Sequence, residues 1–272
     1  MPELPEVETT RRGIEPHVVG KTVSRVIVRQ RRLRWPVPSA VTRLLPGQQI
    51  IAVERRAKYL LLRTATHCVI IHLGMSGSLR ILPAAGETPG PHDHFEMVFA
   101  DDSALRFRDP RRFGAILWSS QDPLRHPRLA NAGLEPLSAE FDGDYLYRHA
   151  RHKRRHVKAL IMDSRKLAGV GNIYANEALF AAGIHPLRQA GRISRQRYQV
   201  LATAIKSTLA QAIECGGSSI RDFTGTDGQP GYFALQFKVY GRSGEPCPRC
   251  TAPIKNVYAN QRNTFYCSKC QT

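Results

Sequence analysis

The chain has no apolar run approaching the roughly 18 residues that a membrane span requires. It has no secretory signal either. Met1-Pro2-Glu3-Leu4-Pro5-Glu6 is acidic and proline-punctuated, with neither a basic n-region nor an apolar h-region. No internal repeat or low-complexity tract is present. An intracellular protein is expected, in a compartment where thiols stay reduced. Cysteine is sparse before the end of the chain. Of six cysteines, Cys68 and Cys215 stand alone in apolar surroundings and read as small buried hydrophobes, while four fall in the last 26 residues. Acidic residues are also scarce. Asp and Glu total 22 against 40 Lys and Arg, a net charge of +18. With 42% hydrophobic and 23% charged residues the composition is otherwise ordinary, which excludes a disordered polycation. The partner implied is a polyanion. At about 150 residues per domain, 272 residues suggest two domains.

Three compositional regimes follow one another. A first helix begins near Pro5, with Glu6 and Glu8 at its positive end and Arg11 and Arg12 toward its negative end, and Pro16 is expected to stop it. Residues 20–118 then hold short runs rich in β-branched and aromatic residues. The strands expected are Val23–Arg29, Ile50–Arg55, Tyr59–Arg63, Cys68–Leu73, Ser78–Leu82, Phe95–Ala100, Leu105–Arg108 and Ala115–Trp118. Close turns between them suggest an antiparallel sandwich or barrel. From about residue 136 the pattern becomes helical. One helix is expected from Asn172 to near Gly183. Another follows Ser194 through Leu201, Ile205, Leu209 and Ile213 and ends at Gly216-Gly217.

The charge is unevenly spread. Lys21–Arg63 contains eleven Lys or Arg and one acid, Glu54; Tyr145–Met162 contains six, with three His and no acid. One such run could be a solvated face. Several together resemble a groove that tracks phosphates. The last cysteines read Cys247-x2-Cys250-x16-Cys267-x2-Cys270, a spacing that fits four thiolates around tetrahedral zinc. With all four positions filled by protein, the zinc is expected to be structural. Such ions supply about 10–16 kcal/mol to segments too small for their own core. Arg249, Lys255, Arg262 and Lys269 on the same segment favour a nucleic-acid face.

Pro2 follows the initiator Met1, whose removal would expose a secondary amine. An α-amino group titrates near pH ~7.7–8.0, so more of it is a free nucleophile at neutral pH than of a lysine. It can form an iminium with an aldehyde. Glu3 and Glu6 offer acid or base chemistry beside it. Taken alone, a proline at position two is nearly always incidental.

Eight blocks, however, together resemble the bacterial formamidopyrimidine-DNA glycosylase family. They are Met1–Thr9, Arg56–Leu60, His72–Gly77, Asp109–Gly114, Gly169–Ala175, Gly231–Phe233, Val239–Arg242 and Arg262–Cys267. They span essentially the whole chain in the family's order. The resemblance implies an α+β multidomain protein. An N-terminal antiparallel β-sandwich with a leading helix would occupy 1–130, a helix–two-turn–helix DNA-binding domain 131–237, and a four-cysteine zinc finger 238–272, with DNA in the cleft between. It implies removal of oxidised purines, 8-oxoguanine and formamidopyrimidines, from duplex DNA, followed by strand cleavage at the abasic site. By the same resemblance Pro2 is the nucleophile and Glu3 the general acid/base. Lys58 serves β-elimination and Arg262 serves δ-elimination. Met75, Arg111 and Phe113 fill the void left by the flipped nucleotide. Lys58, His72, Asn172, Tyr240 and Arg262 contact phosphates, and His92 and Lys153 are further DNA-binding positions. Glu6 and Glu177 are candidate acidic neighbours of the amine, although Glu177 reads equally well as a helix-surface carboxylate. The family further implies one zinc ion, no organic cofactor, a monomer and a bacterial cytoplasmic, nucleoid-associated location.

Two departures stand out. Arg221, in the Ser218–Phe233 segment that resembles a loop over the flipped base, replaces a common lysine. Asn263 replaces the usual Ala or Ser beside Arg262. Two other readings remain. The sister endonuclease VIII type acts on oxidised pyrimidines and is expected to begin Pro-Glu-Gly-Pro, unlike Pro2-Glu3-Leu4-Pro5. A non-enzymatic zinc-ribbon binder of DNA or RNA would need no free secondary amine.

Overall fold

The computed structural model describes residues 2–84, 87–216 and 237–272. These form two compact units, one combining the chain up to Ala130 with Cys215 and Gly216, the other combining Asn131–Glu214 with the chain from 237 onward. No helix among the described residues is long and apolar enough to cross a membrane.

The first unit opens with helix α1 (Leu4–Val18), followed by β1 (Val23–Val28) and a short α2 (Ser39–Leu44). Seven strands follow: β2 (Ala52–Arg56), β3 (Tyr59–Arg63), β4 (Cys68–His72), β5 (Ser78–Leu82), β6 (Asp93–Phe99), β7 (Ala104–Arg108) and β8 (Ala115–Ser119). They make two four-stranded antiparallel sheets, ordered β1-β6-β7-β5 and β2-β3-β4-β8. Leu60, Leu62, Val69, Ile71 and Ile116 of one sheet share a core with Phe95, Met97, Phe99, Leu105 and Phe107 of the other, closed by Val7, Ile14 and Val18 of α1. Leu61, Ile70 and Leu117 point to the opposite face, where Leu129 and Trp35 cover them. Burial on both faces explains why β3 and β4 read as continuous apolar runs without alternation.

Each expected strand is present; Tyr59–Arg63 and Ser78–Leu82 keep their expected bounds and the ends of the others shift by at most two residues. Pro16 does not end α1, however. The helix runs to Val18, with the Val19 N–H donating to the Glu15 carbonyl at 3.1 Å. Ile14 and Val18 are fully buried, and that burial offsets the hydrogen bond Pro16 cannot donate. The short α2 sits inside the stretch expected to be all strand and turn.

The second unit contains α3 (Gly143–Ala150), α4 (Val157–Ile161), α5 (Asn172–Ala181), α6 (Arg195–Glu214) and a hairpin of β9 (Lys255–Ala259) and β10 (Arg262–Tyr266). Ser194 caps α6 as expected, its Oγ accepting the Arg197 N–H at 3.3 Å. Phe180 of α5 packs with Val239, Ile254 and Phe265, so the helical segment and the finger share one small core.

Candidate active site and nucleic-acid interface

In the first unit, Pro2 and Glu3 are buried at the start of α1. Glu3 is the N-cap, and Glu6 reaches back so that its Oε2 accepts the Glu3 N–H at 2.8 Å, part of a capping box. Glu6 therefore fixes the backbone that carries Pro2 and Glu3. One turn further along, Glu8 Oε2 accepts from Arg55 Nε at 3.1 Å, and Arg55 also donates to the Ala57 carbonyl at 2.9 Å. This strut ties α1 to the turn that bears Lys58. That turn is a two-residue hairpin loop, Ala57-Lys58, between the paired Arg56 and Tyr59. Ala57 adopts φ +54°, a left-handed conformation costly for a residue with a Cβ.

His72 ends β4 directly across from Tyr59, their rings 4.7 Å apart. Its Nδ1 accepts the Gly74 N–H at 3.0 Å, so the neutral ring carries its proton on Nε2. Burial, reinforced by the positive charges of Arg34 and Lys58, pushes its pKa down to about 4. His72 is thus a neutral N–H donor at physiological pH. Met75 lies on the turn after β4 and is half-buried. Arg111 and Phe113 lie on the loop before β8; Phe113 is 45% exposed, with the Arg111 guanidinium 5.1 Å from its ring centre. A large apolar side chain left in solvent beside a cation is not core packing. His92 is half-buried just before β6, and its carbonyl accepts the Asp109 N–H at 3.0 Å.

In the second unit, Arg262 is exposed at the first position of β10, after a two-residue turn in which Asn260 and Gln261 both have positive φ. The hairpin is fastened to α4 and α5. Lys158 Nζ donates to the Asn263 carbonyl at 3.1 Å and to Thr264 Oγ1 at 2.8 Å; Asn172 Nδ2 donates to the same carbonyl at 3.1 Å. Asn176 Oδ1 accepts the Phe265 N–H at 3.0 Å. Asn263 uses its backbone here, so its departure from Ala or Ser leaves these bonds untouched. Glu177 is buried. Its carboxylate accepts the N–H groups of Lys238, Val239 and Tyr240 at 2.9, 3.0 and 2.8 Å. Burial raises its pKa and the three N–H donors oppose the rise. It is therefore not a helix-surface carboxylate; it fixes the backbone of Tyr240. Lys153 is exposed on the turn after α3.

The four cysteine sulfurs lie within 4.8 Å of one another, with Cys247–Cys270 and Cys250–Cys267 separations of 3.9 and 3.5 Å. A tetrahedron with Zn–S of ~2.3 Å has S···S edges of ~3.8 Å, so the set fits one zinc ion and is far too open for disulfides. All four cysteines are free, and no position is left for water or substrate.

The basic runs need correction. Lys158 is 4% exposed and spends its charge inside the unit, and Arg155 pairs with Asp163 at 2.9 Å. In the first run Lys21, Arg29, Arg55 and Arg63 pair with Asp101, Glu96, Glu8 and Glu54. Arg55 and Asn176 were not singled out by the sequence; Asp109 and Ser76 lay inside family-like blocks with no role of their own, and Glu8 was read only as a charge at the positive end of α1. Arg221 and Gly231–Phe233 lie outside the described residues, as does the Ser218–Phe233 loop.

Three family models match in order. The formamidopyrimidine-DNA glycosylase N-terminal domain matches residues 1–116, the formamidopyrimidine-DNA glycosylase H2TH domain 132–224, and the zinc finger found in FPG and IleRS 244–272. The formamidopyrimidine-DNA glycosylase of Nitrosococcus oceani is 56% identical over 272 residues, and that of Stutzerimonas stutzeri 57% over 271, each pairing covering 100% of both chains. Among solved structures, the Fpg protein of Thermus thermophilus superposes with a TM-score of 0.87 at 38% identity, covering 99% of this chain and 98% of that one. Lactococcus lactis Fpg in complex with abasic-site DNA gives 0.91 at 33% identity, covering 99% of each chain. The same protein with Fapy-dG-containing DNA gives 0.90 at 32% identity, covering 99% of this chain and 100% of that one.

Proposed function

Because the chain belongs to the formamidopyrimidine-DNA glycosylase family, we propose that it excises oxidised purines, 8-oxoguanine and formamidopyrimidines, from duplex DNA and then cleaves the abasic strand. The observation that carries this reading is the first turn of α1, where Pro2 and Glu3 are buried and capped by Glu6 and strutted through Glu8 and Arg55 to the Lys58 turn. A binding module has no need of a secondary amine at a helix start held in this way.

With Met1 removed, the positive end of α1 disfavours the ammonium form of Pro2. The free amine attacks C1′ of the flipped nucleotide. The glycosidic bond breaks with its electron pair going to the base, which takes up the proton released from the Pro2 nitrogen as the N–C1′ bond forms. Glu3 protonates O4′ as the sugar opens, and an iminium joins Pro2 to C1′. Loss of a C2′ proton expels the 3′-phosphate, with Lys58 serving this β-elimination. Arg262 serves the δ-elimination that expels the 5′-phosphate.

Flipping costs a few kcal/mol of unstacking, least for a damaged base. Met75, Arg111 and Phe113 fill the vacated space, and the exposure of Phe113 supports that role. His72, Asn172, Tyr240, His92 and Lys153 take phosphates. For His72 the fixed Nε2–H supplies a neutral donor beside the charged Lys58. Glu177 acts through the backbone of Tyr240, and Glu6 through that of Glu3. The modules 1–130, 131–237 and 238–272 act on one duplex as a monomer, in the cytoplasm of a bacterium.

The test is covalent trapping. Protein is mixed with a duplex containing 8-oxoguanine opposite cytosine, and borohydride is added. A protein–DNA adduct is expected, and extra residues ahead of Pro2 should abolish it. Absence of the adduct, or an adduct indifferent to the extension, rejects the amine mechanism. A stronger adduct with an oxidised-pyrimidine duplex would reassign the substrate to that of endonuclease VIII.

A further inference from the structure

Asp109 is completely buried, and both of its carboxylate oxygens are used on the two loops that carry Met75, Arg111 and Phe113. Oδ1 accepts from Ser76 Oγ at 2.7 Å, and Oδ2 accepts the Gly114 N–H at 2.7 Å. Ser76 Oγ in turn accepts the Arg111 N–H at 3.1 Å. The Asp109 carbonyl takes the Arg112 N–H at 3.2 Å and faces His94 Nε2 at 2.9 Å. The residue following Met75, the residue following Phe113 and the backbone of Arg111 are thus all bonded, directly or through one hydroxyl, to a single side chain.

The two loops are also pressed together. Gly74 has φ +68°, and a Cβ there would lie 2.3 Å from the backbone of Phe113 and Gly114. A Cβ on Gly114 would lie 2.6 Å from the Phe107 ring and 3.0 Å from Asp109 Oδ2. Arg112 is held at φ +54°, a conformation that persists only where the surroundings over-determine it. A buried carboxylate is costly unless its oxygens are satisfied. Here that cost secures the relative position of two loops and leaves their tips projecting.

We infer that Asp109, with Ser76 as its bridge, is a positioning residue that pre-sets Met75, Arg111 and Phe113 as one rigid wedge before DNA arrives. This rests on the proposed entry of those three side chains into the duplex. The wedge then enters without first ordering two loops, so flipping a stacked base is the step that depends on it. A preformed abasic site presents no base to unstack and depends on it less.

Single-turnover rates of full-length, zinc-loaded protein test this on two duplexes, one with 8-oxoguanine opposite cytosine and one with a preformed abasic site. A 2-aminopurine beside the lesion reports unstacking. Asp109→Ala should slow excision at least ~10-fold and suppress the fluorescence rise while abasic cleavage falls less than ~3-fold, since a displacement near 1 Å suffices for such a loss. Asp109→Asn should restore excision to within about threefold, because the amide can accept from Gly114 and donate to Ser76 Oγ, which has a second lone pair. Ser76→Ala gives the same split if Asp109→Ala fails to fold. Equal losses on both duplexes, or unchanged excision, overturn the inference. A wild-type protein that cleaves abasic DNA but ignores 8-oxoguanine overturns the substrate reading instead.

Discussion

In the first unit the turn bearing Lys58 and the strand bearing His72 stand on a cluster of 22 buried apolar residues, among those described, drawn from both sheets, α1, α2 and the connecting segments. In the second, the hairpin bearing Arg262 stands on a cluster of six, two of them zinc-site cysteines. At ~25 cal/mol per Å² of buried apolar surface, burial contributes far less to the finger than to the first unit. The finger substitutes specific bonds: four sulfurs set for one ion, three backbone N–H groups on Glu177, and Lys158 and Asn172 on one carbonyl. Two ways of fixing a loop are therefore present, one by bulk burial and one by counted polar contacts. They should fail under different insults.

Zinc removal is the largest expected effect. Structural zinc contributes about 10–16 kcal/mol in small fingers. Chelation should unfold the finger and abolish DNA binding while the far-ultraviolet β signal, to which β1–β8 contribute, stays largely intact. Loss of that signal together with the zinc would break the contrast, because the sandwich would then depend on the ion too.

The converse insult goes to the sandwich. Arg106 is 1% exposed, its Nε 2.6 Å from Glu96 Oε2 and its Nη1 3.5 Å from Asp93 Oδ2. Arg106→Ala leaves the fully buried Glu96 with only the part-exposed Arg29, 3.2 Å away, and should cost about 3–4 kcal/mol, the lower part of the range for breaking a buried pair. Calorimetry should show the loss, with zinc retention against a chromogenic chelator unchanged. A loss under ~1 kcal/mol would mean that water reaches the pair.

Legibility in the sequence divided along the same line. Strands β1–β8 and the four-cysteine spacing were readable because each is a local pattern: a run of apolar or β-branched residues, or a fixed interval between sulfurs. The strut from Glu8 through Arg55 to Ala57 was not, since it joins residues far apart in the chain. The role of Lys158 was hidden for the same reason. In the sequence it is one of six Lys or Arg in Tyr145–Met162, and only the fold brings the Asn263 carbonyl and Thr264 to it. Glu177 lies on a helix whose apolar residues fall on every side, so no periodicity marked it as buried. Pro16 misled because local propensity was weighed without the tertiary burial of Val18.

The smallest expected effect tests the burial side of the contrast through one titratable ring. His72 keeps its acceptor bond from Gly74 and is faced by Tyr59, with Arg34 and Lys58 adding positive charge. Its pKa falls from 6.5 to about 4 on folding. The unfolded chain thus binds the extra proton first as pH drops. The stabilisation is complete above pH 6.5 and is lost as pH falls toward 4, the reverse of a histidine stabilised by a carboxylate. At ~1.36 kcal/mol per unit, the whole loss approaches ~3 kcal/mol. His72→Asn removes the titration, so wild-type stability should fall relative to that variant between pH 7 and pH 4. Nitrogen NMR of the ring at pH 5.5 should show the neutral Nε2–H form. A midpoint near 6.5 would show that solvent hydrates the ring. The neutral donor proposed for a phosphate would then be a cation in mild acid, and DNA affinity would rise as pH falls through that value.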